Sequence, residues 1–242
     1  TSMEELAKDP NMQEYFHTFL ANAANSAVLL NADPPEHRRQ RKAVNRAFRP
    51  TRLRGMEPMI HEVADNLLEP IKQKQQMEFV GEFAVWLPMT IIAYALGVGT
   101  SDLNKFKKWS DDLVMPVGNP DPNVEKVRDY LISLKDFNEF FGDLLRQRRE
   151  SPEEDIISDV ATAEVNDQML NQAEMLSMLQ QFLVAGNETT TKLLTNLMYR
   201  LAVDDNLENL LRDNPKLIDN FIEEGLRFEA PVGGLFRSAK CD

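Results

Sequence analysis

Cysteine is nearly missing from this sequence: Cys241 is the only one among 242 residues. An intrachain disulfide and a zinc site built on several thiolates are therefore excluded, and such usage suits a reducing cytosol. Histidine is scarce too, with His17, His37 and His61. Basic residues are outnumbered, 27 Lys and Arg against 39 Asp and Glu, for a formal charge of −12. That balance argues against nucleic acid as the main partner, because binding phosphate backbones rests on clustered positive charge. Long hydrophobic runs are absent as well. The longest apolar-leaning stretch, Trp86 to Val98, is too short to span a bilayer and contains Pro88, so it predicts a buried helix and no membrane segment. No secretory signal is visible at Thr1, and a cytoplasmic protein is the expectation.

Glycine and proline are sparse, 10 and 13 residues, and mostly fall between periodic segments. No run alternates apolar and polar residues at strand spacing for long, which predicts a mainly α fold with little β. Helices are expected at 3–20, 36–48, 56–74, 88–97, 101–114, 123–150, 153–163, 172–203 and 215–228. Breaks fall at Pro34-Pro35, Pro50, Gly97-Val98-Gly99 and Gly118-Asn119-Pro120. No repeat or low-complexity linker marks a boundary, so residues 1–242 are expected to form one helical domain.

The segment 172–203 is the most informative. Asn171 can cap it and Glu174 stands three residues on, a variant of the reciprocal cap with Asn in place of Ser or Thr. At ~1.5 Å per residue a helix of this length runs ~45 Å, enough to cross a domain, so it is expected to be central. In its middle sits Ala185-Gly186-Asn187-Glu188-Thr189-Thr190-Thr191. Gly costs ~1 kcal/mol relative to Ala inside a helix and Thr costs several tenths, so local preference opposes the helix here. Either a ligand approaches the backbone at Gly186, or the threonines face solvent on an ordinary helix.

Three further stretches carry chemistry. In Asp33-Pro34-Pro35-Glu36-His37-Arg38-Arg39-Gln40-Arg41 the prolines fix an extended lead-in, after which His37 and Arg41 share one helical face at i and i+4. From Glu36 to Arg54 eight Lys and Arg face one acid, which reads as an anion site, a docking face, or a solvated basic helix. Glu224 and Arg227 stand at i and i+3 and can pair, as many surface residues do. Finally Ala230-Pro231-Val232 stops a helix and leads to Arg237.

The order of D-P-P-x-H-x-x-x-R, then A-G-x-E-T in a long helix, then E-x-x-R and an arginine after P-V, resembles soluble bacterial cytochromes P450 from about Ala27 onward. The resemblance implies haem b with its iron as cofactor, with His37, Arg41 and Arg237 on the propionates. It implies that Ala185 and Gly186 let the helix approach the porphyrin, and that Glu188 and Thr189 are the acid and alcohol of proton delivery during oxygen activation. Glu224 and Arg227 become a buried structural pair supporting the haem-binding core. The activity implied is insertion of one oxygen atom of O2 into a hydrophobic small molecule. The pocket would be lined from the segment before Pro34, from Leu113 to Asn123, and from Phe182, Ala185 and Thr189.

Electrons would come from NAD(P)H through a separate ferredoxin- or flavodoxin-type donor, with Arg38, Arg39 and Arg46 as a docking face. An N-terminal part of the family pattern and its glycine-rich cysteine loop find no match in this sequence. Cys241 is not assigned to iron, and by itself the chain is expected to be a truncated domain without activity. A different class of reading is a non-catalytic helical binding or regulatory domain, independent of haem. A terpene-synthase-like enzyme would need an aspartate-rich metal motif, for which Asp111-Asp112 and Asp204-Asp205 are only doublets.

Overall fold

The computed structural model describes residues 6, 8–10, 12–15, 27–74, 76–116, 123–165 and 168–234. Residues 6, 8, 10 and 12–15 are helical. The succeeding helices are α1 (Glu36–Val44), α2 (Pro50–Lys74), α3 (Trp86–Leu96), α4 (Leu103–Leu113), α5 (Val124–Glu150), α6 (Ile156–Ala161), α7 (Gln172–Val203), α8 (Asp205–Asp213) and α9 (Ile218–Phe228). Strand is confined, among the described residues, to an antiparallel pair, β1 (Glu164–Val165) and β2 (Gln168–Met169), with Glu164 opposite Met169. The mainly α class is as the sequence predicts.

Several boundaries differ from expectation, and one helix is additional. α1 stops at Val44, short of Phe48. Pro50, read as a break, opens α2 at its first residue, where a missing N–H costs nothing and the fixed φ is already helical. α8 was not foreseen: Asp204 caps it, its carboxylate accepting from the backbone N–H of Asn206 (3.0 Å) and Leu207 (3.1 Å). One acid of a supposed metal doublet is thus a helix cap.

The chain clusters into two compact units, Thr1–Val63 with Met89–Ala185, and Ala64–Pro88 with Gly186–Asp242. The first unit is built on aromatic residues. Phe106 and Trp109 on α4 and Phe137 and Phe141 on α5 are each at most 1% exposed. Their i, i+3 and i, i+4 spacings put each pair on one helical face, and the rings meet at angles. Trp109 lies 5.5 Å from Phe137, and Phe137 lies 4.4 Å from Phe141, centroid to centroid. The indole N–H is directed to Asp136 Oδ2 at 3.2 Å, so this large side chain is buried without an orphaned donor.

A buried ion pair ties the end of α5 to the start of α6 and to the turn after α3. Arg148 Nε donates to Asp155 Oδ2 (2.6 Å) and its guanidinium also reaches the Gly97 carbonyl (3.3 Å). Asp155 caps α6 by accepting from Ser158 N–H at 2.6 Å. Gly97 has φ +81°, and a Cβ there would run into the Asp155 carboxylate. Glycine is required twice over at that turn.

The second unit is more sparsely buried. Its buried apolar side chains, among the described residues, are Phe83, Ala84 and Leu197. Residues Val80–Ala84 form one π-helical turn leading to α3. Gly225 on α9 lets that helix close on α7, since a Cβ there would collide with Leu197. The end of α9 is tied to α7 by Asn196 Nδ2, which donates to the Glu229 carbonyl at 3.2 Å, and by Arg200, which pairs with the Glu229 carboxylate.

Candidate functional site

In the first unit α1 turns one face inward with Gln40, Ala43 and Val44 buried. His37 is half-buried and Arg41 exposed. Among the described residues neither side chain has a hydrogen bond or ion pair within the protein. Their neighbour Arg39 is the opposite case. It pairs with Glu36 at 2.8 Å and with Glu174, and only 15% of its side chain is exposed. Both carboxylates raise its already high pKa, Glu36 most. Arg39 is therefore an internal tie and not part of an exposed docking face, which corrects the sequence expectation. Arg38 is exposed, and Arg46 is exposed while lying 3.3 Å from Asp159.

Glu174 joins α1 to the start of α7. Its carboxylate accepts from Asn171 N–H (2.9 Å) while Asn171 Oδ1 accepts from Glu174 N–H (2.9 Å), the reciprocal cap expected from sequence. Two amides that sequence reasoning passed over hold the chain before Pro34. Gln40 accepts from Leu29 N–H (2.8 Å) and donates to the Ala27 carbonyl (3.0 Å). Gln181 accepts from Leu30 N–H (3.2 Å) and donates to the Val28 carbonyl (3.0 Å). The signal was a polar residue on an otherwise apolar helical stripe. Leu29 has a left-handed φ of 43°, an uncommon conformation for leucine that these amides keep in place. Phe182, on the following residue of α7, meets Phe48 edge-on at 5.3 Å. Leu113 is buried, and residues 117–122, expected to line a pocket, lie outside the described residues.

Helix α7 is unbroken across Ala185, Gly186, Glu188 and Thr189 despite its unfavourable local sequence. Ala185 is exposed, and Glu188 and Thr189 are half-buried. Asn187, between them in sequence, is 1% exposed and directs Nδ2 to Glu188 Oε1 at 3.4 Å. Thr191, one turn on, donates to the Ala84 carbonyl at 3.1 Å. Sequence reasoning named the acid and the alcohol but missed Asn187, whose signal was a carboxamide on the core face of an apolar helix.

Glu224 and Arg227 do pair, and bidentately: Nε to Oε2 at 2.7 Å and a terminal nitrogen to Oε1 at 2.6 Å. Arg227 holds the Glu224 carboxyl below the ordinary range through those bonds. Among the described residues the pair is exposed, 58% for Glu224 and 68% for Arg227. Both residues lie on the outward face of α9, whose inward face meets α7 at Gly225. Asp111 and Asp112 are engaged by Lys107 and Lys108 one turn away. No cluster of metal-ligating side chains occurs among the described residues. Arg237 and Cys241 lie outside them.

The donor set of α1 suits a dianionic group. Two cationic or hydrogen-donating side chains share one face and have no carboxylate of their own among the described residues, in a protein where most other cations do. Haem, with two propionates, fits that chemistry.

A family model described as cytochrome P450 matches residues 3–242. The chain belongs to the cytochrome P450 family. A cytochrome P450 of Bacillus subtilis is 36% identical over 204 residues, covering 84% of this chain and 49% of its own length. Among solved P450 structures, CYP109E1 from Bacillus megaterium in complex with testosterone is 31% identical with a TM-score of 0.75, over 85% of this chain and 55% of that one. P450BioI, in complex with an acyl carrier protein carrying hexadec-9Z-enoic acid, is 27% identical with a TM-score of 0.79, over 89% of this chain and 54% of that one. The chain spans about half the length of the curated P450 relatives it matches. No helix among the described residues is long and apolar enough to cross a membrane.

Proposed function

We propose that this P450 is a haem-thiolate monooxygenase that takes one substrate molecule, O2, two electrons and two protons to a hydroxylated product and water. The observation that carries the reading is the interior of α7: small residues at Ala185 and Gly186, then a half-buried acid and alcohol at Glu188 and Thr189, in one unbroken helix. Haem, when bound, would supply the iron chemistry that activates O2. His37 and Arg41, joined by Arg237 on the family pattern, hold the propionates. Thr189 Oγ1 presents a proton to the reacting oxygen, and the Glu188 carboxyl replenishes it through water. Ala185 keeps its side of the helix low, leaving room for substrate.

Electrons come in this reading from NAD(P)H through a separate ferredoxin- or flavodoxin-type donor, docking on Arg38 and Arg46. The substrate is a hydrophobic small molecule, a reading supported by the steroid and the fatty acyl group in the two related complexes.

The test is haem titration into the intact protein, reduction under carbon monoxide, and turnover with a donor pair. A thiolate-type Soret band is expected where this chain is joined to the family's cysteine loop, since Cys241 is not assigned to iron, and Arg41→Ala should weaken haem uptake there. Thr189→Ala should bind haem normally yet send O2 to hydrogen peroxide, with product falling ~10²-fold, the usual contribution of a positioned proton donor. Absence of specific haem binding would instead favour a non-catalytic helical domain.

A further inference from the structure

Asn187 is almost fully buried within the polar stretch Gly186–Thr191 of α7. Burying a carboxamide is costly unless its donors and acceptor are used. Its neighbours show how they are used. Nδ2 stands 3.4 Å from Glu188 Oε1, and Oδ1 stands 3.4 Å from Thr191 Oγ1. Thr191 Oγ1 also stands 3.1 Å from the carbonyl oxygen of Ala84. That carbonyl would ordinarily receive a bond from the residue four positions on, which is Pro88 and has no N–H. The single hydroxyl hydrogen of Thr191 is thus shared between two acceptors, the nearer Ala84 carbonyl and Asn187 Oδ1. One turn later Thr195 Oγ1 donates to the Thr191 carbonyl at 2.8 Å, so the polar row continues along the same helix face.

When that hydrogen points to Asn187 Oδ1 the hydroxyl donates to the amide, and when it points to Ala84 the hydroxyl offers the amide a lone pair. A half-turn about χ2 exchanges the two ends of the Asn187 amide. In one orientation Nδ2 donates to Glu188, which suits a carboxylate. In the other, Nδ2 donates to Thr191 Oγ1 and Oδ1 faces Glu188, which suits a carboxylic acid donating its proton. One buried amide thus offers a matched partner to Glu188 in either protonation state.

We propose that Asn187 is a positioning residue for Glu188, anchored by Thr191 and Ala84, that holds the carboxyl in one place while it alternates between carboxylate and acid. The proposal rests on the proton-delivery role given to Glu188 above. It adds a residue whose own proton never leaves it and which acts only through its neighbour.

The experiment uses the intact, haem-loaded protein and two readouts. The first is the fraction of consumed O2 released as hydrogen peroxide. The second is the infrared carboxylate band identified as that of Glu188 by its loss in Glu188→Gln. Asn187→Leu should lower product formation roughly tenfold with a matching rise in peroxide, smaller than the loss of a direct proton donor, and should shift the Glu188 band. Asn187→Gln, which keeps donor and acceptor, should recover part of both. Thr191→Val should shift the band in the same sense.

If Glu188→Gln is as well coupled as wild type, the role of Glu188 fails and the proposal with it. If Glu188→Gln uncouples but Asn187→Leu leaves peroxide and band unchanged, Glu188 stands and the positioning role is overturned. Should Asn187→Leu not take up haem, Thr191→Val decides, and an unmoved Glu188 band overturns the proposal.

Discussion

The two units differ in what they bury. In the first, five aromatic rings of α4 and α5 interlock, and the arginines Arg39 and Arg148 are drawn in to carboxylates that also cap helices. In the second, the buried side chains among the described residues include Phe83, Ala84, Leu197 and Asn187, while Tyr199, Val203, Ile218 and Phe228 stand exposed. The first unit has many apolar contacts to lose and few polar adjustments to make. Among the described residues the second has few buried apolar side chains to lose.

The sharpest way to break this contrast is to empty the aromatic core. Phe137→Ala, at a fully buried position, should cost about 3–5 kcal/mol, visible as a lower urea midpoint. Val203→Ala, at an exposed position of the second unit, should change stability by no more than about 0.5 kcal/mol. Equal losses would erase the distinction. Next comes Gly97→Ala, which forces a left-handed alanine at about 1–2 kcal/mol and also displaces Asp155 from Arg148, so the thermal midpoint should fall further than the backbone term alone predicts.

The smallest effect belongs to Glu224. Its folded pKa is depressed by Arg227, so the stabilisation it contributes is present above the ordinary glutamate pKa and fades as pH falls through the folded value. Because the pair is open to solvent, that contribution is minor. Arg227→Met should return the Glu224 carboxyl to the ordinary range in an NMR titration; an unmoved titration would mean that another group holds it down.

Helical periodicity made most of the fold legible. The stretch 172–203 is helical over its whole expected length, and 123–150 to within one residue, because both carry long apolar stripes and a side-chain cap. α8 was not among the expected helices; it is only nine residues long and none of them is buried. At the site, charged motifs were visible and their local pairings largely correct, as for Glu224 with Arg227. Burial was not visible. Whether Arg39 faces solvent or Glu174 depends on a residue far along the chain, as does the contact of Thr191 with the Ala84 carbonyl.

Arg39 and Glu174 are separated by 135 positions in sequence. A ribosome adding residues at roughly 5–20 per second needs roughly 7–27 seconds to pass from one to the other. Throughout that interval α1 must exist with a buried-type arginine and no carboxylate from α7 to receive it. The Glu36 carboxylate, three residues before Arg39 and bonded to it at 2.8 Å, is available from the start. Its bond to Arg39 is local and needs no residue of α7.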